Sequence, residues 1–171
     1  TKKQVEKLLN TPMVGRLNLI AVGLLLEIPI DTIYQKTKID RWFLHRINSV
    51  VTGYKQLKKS SLSVDVLRKS KRLGFSDKQI GNLTKRTWKE VRVFRKKYDI
   101  VPHVKQIDTL AGEFPAQTNY LYCTYHADSD DVTSVKKKSI AVLGSGAYCI
   151  GSSVEFDWCS VTTVNKLRAL G

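Results

Sequence analysis

Phe43, Ile47, Val50, Tyr54 and Leu57 recur at a 4-3-4-3 spacing, which places them on one face of an α-helix. Asp40 stands where it can cap that helix by accepting backbone N–H bonds. Lys55, Lys58 and Lys59 close it with charge complementary to the helix dipole. Gly53 weakens the interior by ~1 kcal/mol relative to Ala and marks a possible kink. Upstream, Pro12 suits the first turn of a helix running to about Glu27. Leu17, Ile20, Ala21 and Leu24 share one face of it, and Leu19, Val22, Gly23 and Leu26 share a second. A helix apolar on two sides must bury both. A small bundle has room for one, so Leu19, Val22 and Leu26 are expected to form an association surface.

Pro29 ends that helix, and Asp31–Lys36 fits a short one. Three further helices are signalled by their starts. Ser63 can cap the first, with Val66, Leu67 and Leu73 inward, and Gly74-Phe75 stops it. Ser76-x-x-Gln79 and Thr87-x-x-Glu90 are capping boxes. Ile80 and Leu83 follow the first box; Val91, Phe94 and Tyr98 follow the second. The pattern predicts an all-helical domain over residues 1–100, compact from about Pro12 to Tyr98. Phe43, Ile47, Val50, Ile80, Leu83, Val91 and Phe94 are expected in its core.

The character changes at Val101. Pro102 breaks the helix, and Tyr120, Leu121, Tyr122 and Tyr125 favour extended backbone. Asp128–Asp131 through Lys136–Lys138 reads as a flexible linker or exposed loop, so residues 101–138 are expected to form an extended connection. Ser139–Leu143 then reads as a strand, Gly144-Ser-Gly146 as a tight turn, and the remainder to Gly171 as an amphipathic helix. One strand and one helix cannot make a sheet, so residues 139–171 read as the opening of an α/β domain. The fold class expected is mainly α, followed by a partial α/β strand-turn-helix segment. The glycines follow G-x-G-x-x-x-x-G, with Cys149 where a dinucleotide fingerprint needs its third Gly, and no G-K-[ST] follows. The turn is therefore weak evidence for a bound nucleotide, and structural tightness of the strand-to-helix turn is its first reading against direct phosphate contact. Glu155 and Asp157 suit capping and dipole roles at the head of the last helix.

Charge narrows the partners. Residues 1–100 hold 23 Lys+Arg and 8 Asp+Glu, a balance of +15, whereas residues 101–171 hold 6 and 7. Such basicity fits either nucleic acid or an acidic protein surface. Gly74–Lys97, with Lys89, Arg92, Arg95, Lys96 and Lys97 on its second helix, has a helix-turn-helix outline but no base-reading signature. The apolar run Leu19–Leu26 is eight residues, far short of the ~20 a membrane span needs. Cys123, Cys149 and Cys159 are odd in number and lack metal-ligand spacing; Cys123-x-x-His126 has no second pair. His45, His103 and His126 have no nucleophile or carboxylate partner in sequence. No catalytic, cofactor or metal constellation is legible.

Four blocks carry a resemblance: Ile39-Asp-Arg-Trp-Phe-Leu44, Gly74-Phe-Ser-Asp-Lys-Gln-Ile80, Val104–Ala111 with Thr118–Tyr122, and Gly144-Ser-Gly146 with Ile150–Cys159. In that order and spacing the chain beyond Thr1–Asn10 resembles the large subunit of carbamoyl phosphate synthetase. It corresponds there to the helical oligomerisation domain, the following linker and the start of the second pre-ATP-grasp domain. Cys149 departs from the Arg usual before Ile-Gly. The resemblance implies that Ile150, Ser153 and Glu155 line the tunnel carrying carbamate between two ATP-using sites, with Ser153 in a small-residue position. It implies that ATP and Mg²⁺ serve the complete enzyme and bind elsewhere, leaving this stretch inert as an enzyme. The implied partners are the remaining synthetase domains, a glutaminase domain or subunit, and a second copy of the chain; neither membrane nor nucleic acid is expected. Phe114–Tyr120 resembles the pyrimidine-pathway form, which uses glutamine-derived ammonia in the cytoplasm.

Overall fold

The computed structural model describes residues 1–115, 120–133, 139–144 and 155–171, with side chains in the last stretch from Trp158. The described chain is mainly α and divides into two compact units, Thr1–Val132 and Thr133–Gly171.

The first unit opens with α1 (Lys2–Leu8), α2 (Arg16–Leu25) and α3 (Ile30–Thr37). A long helix follows, α4 (Arg41–Lys59), then α5 (Val64–Arg72), α6 (Asp77–Thr84) and α7 (Trp88–Lys97). The starts of α4, α5, α6 and α7 are those the sequence signals. Trp42 N–H donates to Asp40 Oδ1 at 2.7 Å, Val66 N–H to Ser63 Oγ at 3.3 Å, and both capping boxes close reciprocally. Gly74, at φ +91°, makes the left-handed turn after α5.

Two cores form along this unit. Val5, Leu9, Ile20, Leu24, Ile28, Ile33, Leu44 and Val51 make the first; Leu57, Leu62, Leu67, Phe75, Ile80, Val91 and Ile100 make the second. α4 serves both. Leu44 and Leu57 are thirteen residues apart, which at about 100° per residue turns their side chains roughly 140° from one another. The first half of α4 therefore faces one core and the second half faces the other. Gly53 sits at the changeover, where an added Cβ would lie 2.5 Å from Leu73 Cδ1.

This split corrects the expected core. Phe43 and Val50 are exposed, at 56% and 40%, while Leu44 and Val51 are buried. The 4-3-4-3 stripe runs between the two faces that α4 buries and averages them. Ile80 and Val91 are buried; Ile47, Leu83 and Phe94 are half-buried against the cores. α2 also departs from expectation. Its first turn begins at Arg16, not near Pro12, and Leu17 is exposed. α1 was not foreseen, although Thr1-x-x-Gln4 forms a capping box there and Val5 and Leu9 are buried. Arg16 fastens these helices: its Nη2 donates to Leu9 O (3.0 Å) and Thr37 O (3.4 Å), carbonyls at the C-terminal ends of α1 and α3.

Beyond α7 the chain forms β1 (His103–Gln106) and β2 (Leu121–Thr124), paired antiparallel with His103 opposite Thr124 and Gln106 opposite Leu121. Asp130 and Asp131 bracket the free edge of β1. Val104 N–H donates to Asp130 Oδ1 (2.7 Å), Gln106 N–H to Asp131 Oδ2 (3.0 Å), and Asp131 N–H to Val104 O (2.9 Å). Lys105 Nζ also bonds Asp131 Oδ1, and that bond, with the Gln106 N–H, holds the Asp131 carboxyl below its ordinary range. The described residues of 101–132 thus belong to the helical unit, and Asp128–Asp131 is a hydrogen-bonded return to β1, exposed but not free.

In the second unit, α8 spans Glu155–Ala169. Ser139–Leu143 is not a strand, contrary to expectation. A strand requires a partner ladder, and none is present among the described residues of that unit. Trp158, Val161 and Leu170 of this unit are exposed.

Candidate functional site

The residues singled out by sequence do not converge on one site. Ile150 and Ser153 lie outside the described residues, and Glu155 opens α8 with its side chain outside them. On α2, Leu19 is half-buried against the first core, while Val22 and Leu26 are exposed at 42% and 41%. Leu25 adds to that exposed surface. Trp42 and Phe43 leave a second exposed apolar pair at the head of α4, their rings edge-to-face with centroids 5.0 Å apart.

Two of the three histidines make side-chain contacts. His45 is exposed on α4. His103 Nδ1 lies 3.4 Å from Asp130 Oδ1, and His126 Nε2 lies 2.8 Å from the Arg72 carbonyl, to which its N–H donates. No group of three or more metal-ligating side chains occurs among the described residues. Cys123 and Cys159 are free and exposed.

The most organised polar arrangement was not anticipated. Asp77, at the head of α6, accepts from Lys71 Nζ (3.0 Å) and Arg95 Nε (2.9 Å). All three side chains are largely buried, at 16%, 8% and 12% exposure respectively. Lys71 Nζ donates again to Phe75 O (2.8 Å), and Arg95 Nη1 to Ile100 O (3.4 Å). The arrangement is satisfied on all sides, as a buried ion cluster must be. Burial alone would raise the Asp77 carboxyl; the hydrogen bonds from Arg95 and Lys71 and their charges outweigh it and hold the group below its ordinary range. The sequence carried one half of this signal, in Ser76-x-x-Gln79, which fixes where Asp77 stands. The pairing across α5 and α7 had none.

The cluster reaches the extended segment. Lys71 Nζ lies 4.9 Å from the centroid of the Tyr125 ring, within cation–π range. Arg72 Nε donates to Tyr125 O at 3.3 Å, beside the His126–Arg72 bond. A small cleft of about 150 Å³ lies along this seam, lined in part by Arg68, Arg72, Asp99, His103 and Asp128.

The same geometry bears on the helix-turn-helix outline. Arg95 is committed to Asp77. At the head of α7, Glu90 Oε2 accepts from Thr87 N–H and Thr87 Oγ1–H, each at 2.7 Å. Those hydrogen bonds keep its carboxyl below the usual range. A carboxylate therefore already takes up the Thr87 N–H and hydroxyl at the head of this helix. Trp88, Lys89 and Arg92 remain exposed. No described helix is long and apolar enough to cross a membrane.

Comparison with known proteins gives two family matches. Residues 1–99 match the "Carbamoyl-phosphate synthetase large chain, oligomerisation domain", and residues 136–171 the "Carbamoyl phosphate synthase preATP-grasp domain". The first spans α1 to α7. Among similar proteins, "Multifunctional protein CAD" of Squalus acanthias is 45% identical over 99% of this chain and 8% of its own length. "Carbamoyl-phosphate synthase [ammonia], mitochondrial" of Mus musculus is 44% identical over 98% of this chain and 11% of its own length. "Carbamoyl phosphate synthase arginine-specific large chain, mitochondrial" of Neurospora crassa is 49% identical over 83% and 12%. The chain thus spans a small part of the curated relatives it matches.

Proposed function

The chain belongs to the carbamoyl-phosphate synthetase large-chain family, and from that premise we propose that it is a non-catalytic segment serving assembly within a synthetase. The observation that carries this is the match of the oligomerisation domain over residues 1–99, the stretch holding the first helical core and all of the second but Ile100. The exposed Val22 and Leu26 supply a surface of the kind an assembly segment needs.

The complete enzyme, on this reading, phosphorylates bicarbonate with one ATP, forms carbamate with ammonia, and phosphorylates carbamate with a second ATP. Mg²⁺ and both nucleotides bind in ATP-grasp domains that are not among residues 1–171. Ile150, Ser153 and Glu155 line the carbamate passage, where a small side chain at Ser153 keeps the way open. The other synthetase domains and a glutaminase domain or subunit are its partners. The fused multifunctional relatives support partnership with further domains.

Phe114–Tyr120 favours the glutamine-dependent pyrimidine form acting in the cytoplasm. Relatives named arginine-specific and ammonia-using mark the competing assignments. The test is partial-reaction kinetics on the complete synthetase. Ser153→Phe is expected to lower carbamoyl phosphate formation while bicarbonate-dependent ATP hydrolysis continues. Equal loss of both activities, or loss of neither, overturns the passage assignment. ATP turnover by the purified chain alone, surviving controls for contaminants, overturns the non-catalytic one.

A further inference from the structure

We propose that the groove between α4 and α5 binds a small phosphate ester, with the phosphate on Lys69 and Arg72 and its hydroxyl-bearing body along Asn48, Thr52 and Gln56. The groove holds about 430 Å³, within the range of about 300–1,000 Å³ usual for small-molecule sites. Its floor follows from the sequence. Gly53 has no side chain where α4 meets Leu73, and an added Cβ would fall 2.5 Å from Leu73 Cδ1. Asn48, Thr52 and Gln56 recur every fourth residue, so they stand on one ridge of α4 beside that gap. Eight residues of helix span about 12 Å, long enough for a phosphate with a sugar-sized body.

Charge selects an anion. α4 carries five Lys and Arg and no Asp or Glu over its 19 residues. Lys69 and Arg72, neighbours one turn apart on α5, line the groove, and among the described residues no carboxylate does. The smaller cleft that Arg72 also lines differs, because Asp99 and Asp128 balance Arg68 and Arg72 there. The groove's donors are also uncommitted. The side chains of Asn48, Thr52, Gln56 and Lys69 make no hydrogen bond or ion pair among the described residues. Arg72 is anchored through Nε to Tyr125 O, with Nη2 4.0 Å from Asp128 Oδ1, which leaves Nη1 to give. A fixed guanidinium beside an ammonium suits phosphate. Ser49 Oγ donates to His45 O and keeps its lone pairs for a ligand hydroxyl. All of these residues belong to the helical unit, so the proposal does not rest on the synthetase reading.

The test is an amide NMR titration of the purified chain with glucose-6-phosphate, with glucose and inorganic phosphate as the two half-ligands. Ionic strength is held constant, because an excess of +15 over residues 1–100 draws any anion. Saturable shifts are expected at the amides of Asn48–Gln56 and Lys69–Leu73. Glucose-6-phosphate should bind about tenfold tighter than inorganic phosphate, the worth of one or two hydrogen bonds to its hydroxyls. Glucose alone should not bind.

Lys69→Gln gives up no bond within the protein, so circular dichroism should show it folded. Its Kd should rise about tenfold, as expected for one lost charge-assisted hydrogen bond. Thr52→Val should weaken glucose-6-phosphate severalfold and leave inorganic phosphate unchanged. Lys58→Gln, exposed and outside the groove, controls for diffuse charge. Shifts that do not saturate, or a Lys58→Gln effect as large as that of Lys69→Gln, overturn the site. Equal affinity for inorganic phosphate overturns the role given to Asn48, Thr52 and Gln56.

Discussion

Gly81→Ala should destabilise the protein, although the same change is favourable in an ordinary helix. Gly81 lies inside α6, where Ala would gain about 1 kcal/mol of helix propensity. An added Cβ would stand 2.6 Å from Arg86 O, 3.3 Å from Thr87 C and 3.3 Å from Trp88 N. All three are backbone atoms of the turn into α7, so no rotamer change relieves them. Overpacking of this kind costs about 1–3 kcal/mol or more. Pushing the turn outward also endangers the 2.9 Å bond from Arg86 N–H to Gly81 O, worth about 1 kcal/mol. The net is a loss of about 2 kcal/mol. Gly53→Ala is the internal comparison. It offers the same gain, but its near contacts are side-chain ends and not backbone: Leu73 Cδ1 at 2.5 Å, on a half-buried residue that can rotate, and Phe75 Cε2 at 3.3 Å. Its net effect should lie within about 0.5 kcal/mol of zero. Urea unfolding followed by circular dichroism reads both. A Gly81→Ala protein as stable as wild type would refute the argument that α6 and α7 meet backbone to backbone.

Other expectations follow from the same contacts. Asp77 is held below the ordinary carboxylate range, so its contribution to stability is present above about pH 4 and lost as pH falls through the lowered folded value. Asp77→Asn should flatten that acid limb in pH-dependent unfolding; an unaltered limb would show that the cluster contributes nothing. Ser76→Ala removes the acceptor for Gln79 N–H at 3.1 Å and should cost about 1 kcal/mol, read as a lower urea midpoint at unchanged slope. Salt should affect the helical unit in a particular sense. The excess of +15 over residues 1–100 repels a second copy, so any association should strengthen as ionic strength rises.

How much of this was legible depended on whether the signal was local. The helix starts at Asp40, Ser63, Ser76 and Thr87 were readable, because a cap is a contact between residues two or three apart. The left-handed stop at Gly74 was readable for the same reason. The core of α4 was misread because one helix serves two cores, and a periodicity search fits a single face to both. Leu44 and Val51 lost to Phe43 and Val50 by one residue of phase. The Lys71–Asp77–Arg95 cluster joins three helices, and sequence gives three separate surface charges. The return of Asp130 and Asp131 to β1 spans some 25 residues, and a run of Asp and Ser reads as solvated loop until its donors are known. The strand expected at Ser139–Leu143 shows the converse, since strand propensity is expressed only beside a partner.

The assembly role is tested most directly by sedimentation equilibrium of the purified chain and its Leu26→Glu variant across ionic strength. Leu26 is 41% exposed, with Val22 on the same side of α2 at 42%, and neither contributes to the first core. The expected result is association of the wild type that strengthens with salt and is lost in Leu26→Glu, while both proteins keep the same helical circular dichroism. A wild type that stays monomeric at high concentration and high salt, or a variant that associates equally well, would contradict the account.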